Sequence, residues 1–140
     1  MLELSRDECL ELLAAHNFGR LTVVMHNASP VIRPVNYVFD TRTQSVVFRT
    51  ASGSKLHALL QAGKAAFEID GLEEADGTGW SVIIEGVIAQ VTVPSDIGRL
   101  NGLGLRPWAP GSKPHWVQIR AWTVSGRRIV IAGDETLQSP

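Results

Sequence analysis

The sequence predicts a mainly β fold of about six strands with a few short helices, closed as a barrel or stacked as a sandwich. Three observations point there. Segments rich in β-branched and aromatic residues recur along the chain, divided by short Asn-, Ser-, Pro- and Gly-containing turns. Helical spacing of apolar residues is confined to short stretches near residues 6–15, 55–61 and 95–103. The second strand is apolar on both faces, which suits a closed or doubly covered sheet.

Taken in order, Ser5-Arg6-Asp7-Glu8 is a capping box, in which Ser5 and Glu8 satisfy each other's backbone amides. Leu10, Leu13 and Ala14 then set a helix over 6–15. Residues 20–26 form a strand, with turn chemistry at Asn27-Ala28-Ser29-Pro30, and 31–39 return as its hairpin partner. A third strand over 45–49 leads to a helix over 55–61, which Gly63 ends. A fourth strand covers 65–69, and the acidic, Gly-containing stretch 70–79 is expected as a surface loop. Residues 80–93 form a long strand, with Gly86 marking a bend or barrel corner. A short helix from Pro94 or Ser95 to about 103, an irregular stretch 105–114 and a strand over 116–124 follow, and 128–132 extend the pattern. The domain is expected to end at 132, with 133–140 a flexible tail.

Composition narrows the function classes. A chain of 140 residues fits one domain able to bury a core without metal or disulfide support. The formal net charge of −1 gives no general field for polyanions, so nucleic acid is not an expected partner. The single cysteine, Cys9, excludes an internal disulfide and Cys-rich zinc patterns, and agrees with a reducing cytoplasm. It reads as a small buried residue of the first helix or a reactive thiol. No apolar run is long enough to span a membrane, and the N-terminus has no signal-like apolar core. His16, His26, His57 and His115 lie in no metal-ligand spacing, and Gly-x-Ser-x-Gly is absent. No catalytic residue and no metal site can be assigned.

One segment stands out. In Phe48-Arg49-Thr50-Ala51-Ser52-Gly53-Ser54-Lys55 a strand ends, hydroxyls and a glycine follow, and a helix begins. Helix N-termini present unpaired N–H groups and partial positive charge, which suits a phosphate. Thr50, Ser52 and Ser54 would donate hydrogen bonds and Lys55 would add a charge. The same residues also suit a plain Ser54 N-cap followed by a solvated lysine. Arg33 shares a strand face with Val31, Val35 and Tyr37 and needs a partner there, either an anionic ligand or a carboxylate such as Glu68 or Glu85. Trp80 and Trp108 could each border a planar ligand, whereas Trp116 and Trp122 read as core.

Arg33-Pro34-Val35-Asn36-Tyr37, then Val47 to Lys55, then Phe67-Glu68-Ile69-Asp70, then Gly79-Trp80-Ser81-Val82 occur in this order. Together they resemble the pyridoxamine 5′-phosphate oxidase-like, FMN-binding split-barrel family over about residues 5–130. The resemblance implies a six-stranded split β-barrel and a cytoplasmic homodimer with FMN bound at the subunit interface. It implies that Arg33, Val35, Asn36 and Tyr37 border the flavin, that Thr50, Ser54 and Lys55 hold its phosphate with Ser52 nearby, and that Arg49 also belongs to the cofactor site. Trp80, Ser81 and Val82 would approach the ring from the partner subunit, with Trp108 over the site. The function implied is an FMN-dependent oxidoreductase acting on a small substrate. The alternative is a non-catalytic carrier module, since the family also has members that prefer a deazaflavin and members that bind haem. Vitamin-oxidising members resemble one another in a C-terminal arginine-bearing segment. Here Ala132 to Pro140 has no arginine, and Arg127-Arg128 precede it.

Overall fold

The computed structural model describes residues 2–106, 111 and 113–130, except for the side chains of Ser54 and Lys55. Among these are nine strands and three helices: β1 (Leu2–Glu3), α1 (Arg6–Ala15), β2 (Phe18–Val24), β3 (Pro30–Asn36), β4 (Val38–Asp40), β5 (Ser45–Thr50), α2 (Ser54–Ala62), β6 (Lys64–Glu73), β7 (Thr78–Gln90), α3 (Pro94–Asn101), β8 (His115–Arg120) and β9 (Thr123–Val130). All pairings are antiparallel, and the path runs β3-β2-β6-β7-β8-β5-β4, with β9 on β7 and β1 on β9.

The two ends of that path, β3 and β4, are consecutive in the chain. Tyr37 alone separates them, and its amide donates to the Asn17 carbonyl (2.9 Å), which holds the chain where it leaves one edge for the other. The expected single strand over 31–39 is therefore two strands meeting at this point. The sheet curls until its edges return to one place, as in a split barrel.

β7 makes the curl possible. Its residues 78–87 pair with β6, and 78–85 also pair with β9, but 88–90 pair with β8. Gly86 sits at the change of partner, where an added Cβ would strike the Arg120 carbonyl oxygen. The bend expected at Gly86 is thus a close approach of two backbones.

Expectation and structure differ elsewhere for physical reasons. The stretch 70–79 is a continued ladder, with only 74–77 as turn, because long-range pairing with β7 outweighs the local loop composition. The strand expected over 116–124 breaks at Ala121-Trp122, where the Trp122 amide turns back to the Arg120 carbonyl (2.9 Å). Trp122 stands on that corner 63% exposed and is not core, unlike the buried Trp116. Two residues at the N-terminus, too short to show a period, form β1.

The main core lies inside the curled sheet, around Leu21, Tyr37, Val46, Phe48, Phe67, Ile69, Trp80, Val82, Ile84 and Ile119, with Cys9 and Leu13 of α1 above it. A smaller cluster of Val47, Val91, Leu100 and Trp116 lies on the other face of β5, under α3. The α1 capping box forms as read, with Glu8 N–H donating to Ser5 Oγ at 3.1 Å and Ser5 N–H to Glu8 Oε1 at 3.0 Å. That hydrogen bond from the Ser5 backbone, with a weaker one from its hydroxyl, holds the Glu8 carboxyl below its usual range. The expected tail at 133–140 lies outside the described residues.

Candidate functional site

A cavity of about 740 Å³ opens in the split between the β2–β3 edge and the β5–α2 connection. Leu21, Val23 and Phe48 form its floor and belong to the main core. Met25, Val31, Val35, Leu59 and Leu105 extend the apolar wall. The site is built on β3, where alternation sends Val31, Arg33 and Val35 to the inner side of the sheet while Ile32 faces out.

Three cations, Arg33, Arg49 and Lys113, stand in this wall with no carboxylate among the lining residues. Among the described residues none of the three makes an ion pair. Glu68, one carboxylate proposed for Arg33, is paired with Arg20 at 3.0 Å, and Asp70 joins the same guanidinium at 3.0 Å. Among the described residues neither Glu68 nor Glu85 forms an ion pair with Arg33. Arg49 lies over the Trp116 ring, 5.5 Å from its centroid, so the indole fixes the guanidinium plane.

Two polar atoms in the wall are buried without a hydrogen-bond partner among the described residues: Arg49 Nε, a donor, and Asn36 Oδ1, an acceptor. Asn36 spends its amide nitrogen on the Asn17 carbonyl (2.9 Å), which leaves the oxygen as the unpartnered atom. Unpaired buried groups of this kind each cost about 1–3 kcal/mol, so the wall is suited to a ligand carrying both an acceptor and a donor.

At the far side β5 ends at Thr50 and α2 begins. The N-cap is Gly53, at φ 101°, a left-handed conformation that favours glycine, and not Ser54 as the plain capping reading required. Among the described residues no side chain caps the helix, so its N-terminal amides remain for another acceptor. Thr50 and Ala51 line the cavity just before this end, and Ala58 and Leu59 line it one turn on. Ser52 Oγ lies 2.7 Å from His115 Nε2, and His115 Nδ1 lies 3.2 Å from Gln90 Nε2.

The structure thus gathers Arg33, Val35, Asn36, Arg49 and Thr50 in one wall, with Ser52 beside them and Ser54-Lys55 at the start of the adjoining helix. It does not bring Tyr37 there. That ring is fully buried, packs edge-on against Phe67, and donates its hydroxyl to the Leu13 carbonyl at 2.7 Å. Burial raises the phenol well above its usual range. Trp80 and Val82 are also core residues of this chain. Trp80 lies against Gly71 and His16, and Ser81 between them faces outward, opposite Asp70 and Arg127. Trp108 lies outside the described residues. Cys9 is buried against Gly126 and burial raises its thiol, so the small-hydrophobe reading holds. Lys113, Leu105 and the His115–Ser52 contact escaped the sequence reading. Lys113 and Leu105 lie in an irregular stretch without period, and His115 reaches Ser52 only through the pairing of β8 with β5.

Among the described residues no helix is long and apolar enough to cross a membrane. Comparison with known proteins agrees with the fold. The chain is 36% identical over 136 residues to Rv0080 of Mycobacterium tuberculosis, covering 93% of this chain and 86% of that one. It superposes on the FAD binding protein from Mycobacterium smegmatis with a TM-score of 0.77 and 33% identity, over 94% of this chain and 100% of that chain. It also superposes on the conserved protein DIP1874 from Corynebacterium diphtheriae, at TM-score 0.75 and 32% identity, over 93% and 98% of the two chains. A family model described as pyridoxamine 5′-phosphate oxidase matches residues 5–128, and the chain belongs to that family.

Proposed function

We propose that the cavity binds a flavin nucleotide, FMN, and that the chain is a flavin-dependent oxidoreductase acting on a small substrate. One observation carries this reading: an apolar cavity of about 740 Å³ whose only charged lining groups among the described residues are Arg33, Arg49 and Lys113. Such a wall fits a large planar apolar body joined to an anion. The phosphate belongs at Thr50, Ser52 and the start of α2, where Ser54 and Lys55 stand. The pyrimidine edge of the ring offers both acceptors and a donor, which matches Arg49 Nε and Asn36 Oδ1. A bound flavin supplies the redox chemistry, while the chain supplies orientation, electrostatics and exclusion of water.

Haem is less well served, because the described lining has no histidine, cysteine or tyrosine for a proximal iron ligand. A deazaflavin would use the same wall. FAD is a second reading, favoured by the 33%-identical structure named as an FAD binding protein. A subunit interface is supported by the outward face of β2 and β3, where Val24 and Ile32 are 56% and 65% exposed beside Pro30 and Pro34. Ser81 would face a partner copy, whereas Trp80 and Val82 would act through this chain's core.

The test is the visible spectrum of the protein as purified, with the released cofactor identified by mass. An oxidised flavin spectrum and stoichiometric FMN are expected. Released FAD or deazaflavin would change the cofactor, and a haem band would overturn the flavin reading. Reduction of the bound flavin and its reoxidation by a small acceptor would mark an enzyme. A flavin inert to donors and acceptors would mark a carrier module.

A further inference from the structure

We infer that His115 is a positioning residue that sets the Ser52 hydroxyl as a hydrogen-bond donor to the anionic end of the ligand. The inference rests on the flavin reading of the cavity and adds a residue to it. β8 pairs with β5 so that His115 lies opposite Thr50 and Trp116 opposite Arg49. The strand that carries Arg49 and Thr50 is therefore backed by a strand placing one ring under the Arg49 guanidinium and another beside Ser52.

With the Gln90 amide nitrogen set against Nδ1, the two contacts of the imidazole select one tautomer of the neutral ring. Gln90 presents its amide nitrogen to Nδ1 at 3.2 Å, and an amide nitrogen only donates, so Nδ1 is the acceptor. In the neutral ring the proton then sits on Nε2, which faces Ser52 Oγ at 2.7 Å. Ser52 Oγ accepts the hydrogen bond from that N–H, and its own O–H is left to point in another direction. A phosphate oxygen accepts only, so a hydroxyl serves it only as a donor. The Gln90–His115–Ser52 chain thereby commits Ser52 to the role that an anion at the start of α2 requires. The opposite tautomer would set two donors against each other at Gln90 and leave Ser52 donating to the ring.

The experiment compares FMN with riboflavin, which lacks the phosphate, on wild type, His115→Leu, His115→Gln, Ser52→Ala and the double variant His115→Leu/Ser52→Ala. His115→Leu should weaken FMN about fivefold, the order of one neutral hydrogen bond, and leave riboflavin within about twofold. His115→Gln, which keeps an N–H near the Nε2 position, should restore FMN to within about twofold of wild type. The Leu and Ser52→Ala losses should not add, since both act on one hydroxyl. Equal weakening of FMN and riboflavin, no weakening of FMN, or additive losses would overturn the inference. If His115→Leu does not fold, Gln90→Leu removes the donor to Nδ1 and should give a loss selective for FMN. An unchanged FMN affinity in Gln90→Leu would overturn the inference in the same way. The ring nitrogen NMR shifts of His115 in flavin-free protein report the tautomer independently of any cofactor. A proton on Nδ1 would overturn this inference and leave the flavin reading standing, whereas wild type that binds neither FMN nor riboflavin would overturn both.

Discussion

Arg49 shows how one side chain joins framework and site. Its guanidinium lies over Trp116, its Nε is buried without a partner among the described residues, and it stands in the wall beside Thr50. Arg33 and Lys113 add charge to the same wall, yet the acids of β6, Glu68 and Asp70, are held by Arg20. The charge that would bind an anion is therefore not spent within the described chain. Lys55 opens α2 at the same end of the cavity, whereas Lys64 opens β6 on the far side of Gly63. Lys55→Ala should weaken FMN by about ten- to a hundredfold, as expected for a charge-assisted hydrogen bond of about 1.5–3 kcal/mol. Lys64→Ala should leave it within about twofold, and riboflavin should lose less than FMN in Lys55→Ala. Fluorescence titration of the apoprotein measures all of these. An FMN dissociation constant within twofold of wild type for Lys55→Ala would remove the phosphate assignment.

Two glycines separate constraint from freedom at the scale of the element. Gly86 lies where β7 changes partner and has the Arg120 carbonyl where a Cβ would go. Gly98 lies inside α3 with nothing within 4 Å of an added Cβ. Gly86→Ala should destabilise the protein by about 2 kcal/mol or more, as forced overpacking does. Gly98→Ala should stabilise it by about 0.5–1 kcal/mol through helix propensity. Urea unfolding midpoints check both, and a neutral Gly86→Ala would mean that the strand switch is looser than described.

α3 is tied to β4 by the Arg99–Asp40 pair, with Nη1 to Oδ1 at 2.6 Å. Burial by itself would raise the Asp40 carboxyl. The Arg99 guanidinium, the Thr43 hydroxyl and the Arg42 amide together outweigh it and hold the group below its usual range. A carboxyl with a depressed folded value contributes stability that is present above its unfolded value, about 3.9, and is lost as pH falls through the folded value. Asp40→Asn should therefore be less stable than wild type at pH 7, with the gap narrowing at about pH 3. A gap of equal size at both pH values would show that the charge on Asp40 contributes nothing.

The single chain leaves Val24 and Ile32 exposed on a face that also carries Pro30 and Pro34. α3 covers the outer face of β5 through Val47, Leu100 and Trp116, but among the described residues no helix covers the outer face of β3. A second copy there would bury that apolar row. An obligate interface of this sort buries more than about 2,000 Å². Light scattering at micromolar concentration should give twice the 15.2 kDa chain mass, and Ile32→Glu should shift the protein toward one chain. A wild-type mass of one chain would remove the interface and any shared site.

The sequence by itself determined the local events. The capping box of α1, the helix end at Gly63 and the bend at Gly86 depend on neighbours within a few residues or on a missing Cβ, and a sequence states both. It also marked the segment 48–55, because a strand end, hydroxyls and a helix start are adjacent in the chain. Only the tertiary structure decided what lies across from them. The pairing of β8 with β5 put Trp116 under Arg49 and His115 beside Ser52, and the one-residue link at Tyr37 turned that ring into the core. It also decided that Glu68 belongs to Arg20, that residues 70–73 and 78–79 are strand, and that Trp122 stands on an exposed corner. The physical reason is common to all of these. Ladder pairing and burial join residues tens of positions apart, and no local pattern encodes which strand a given strand will meet.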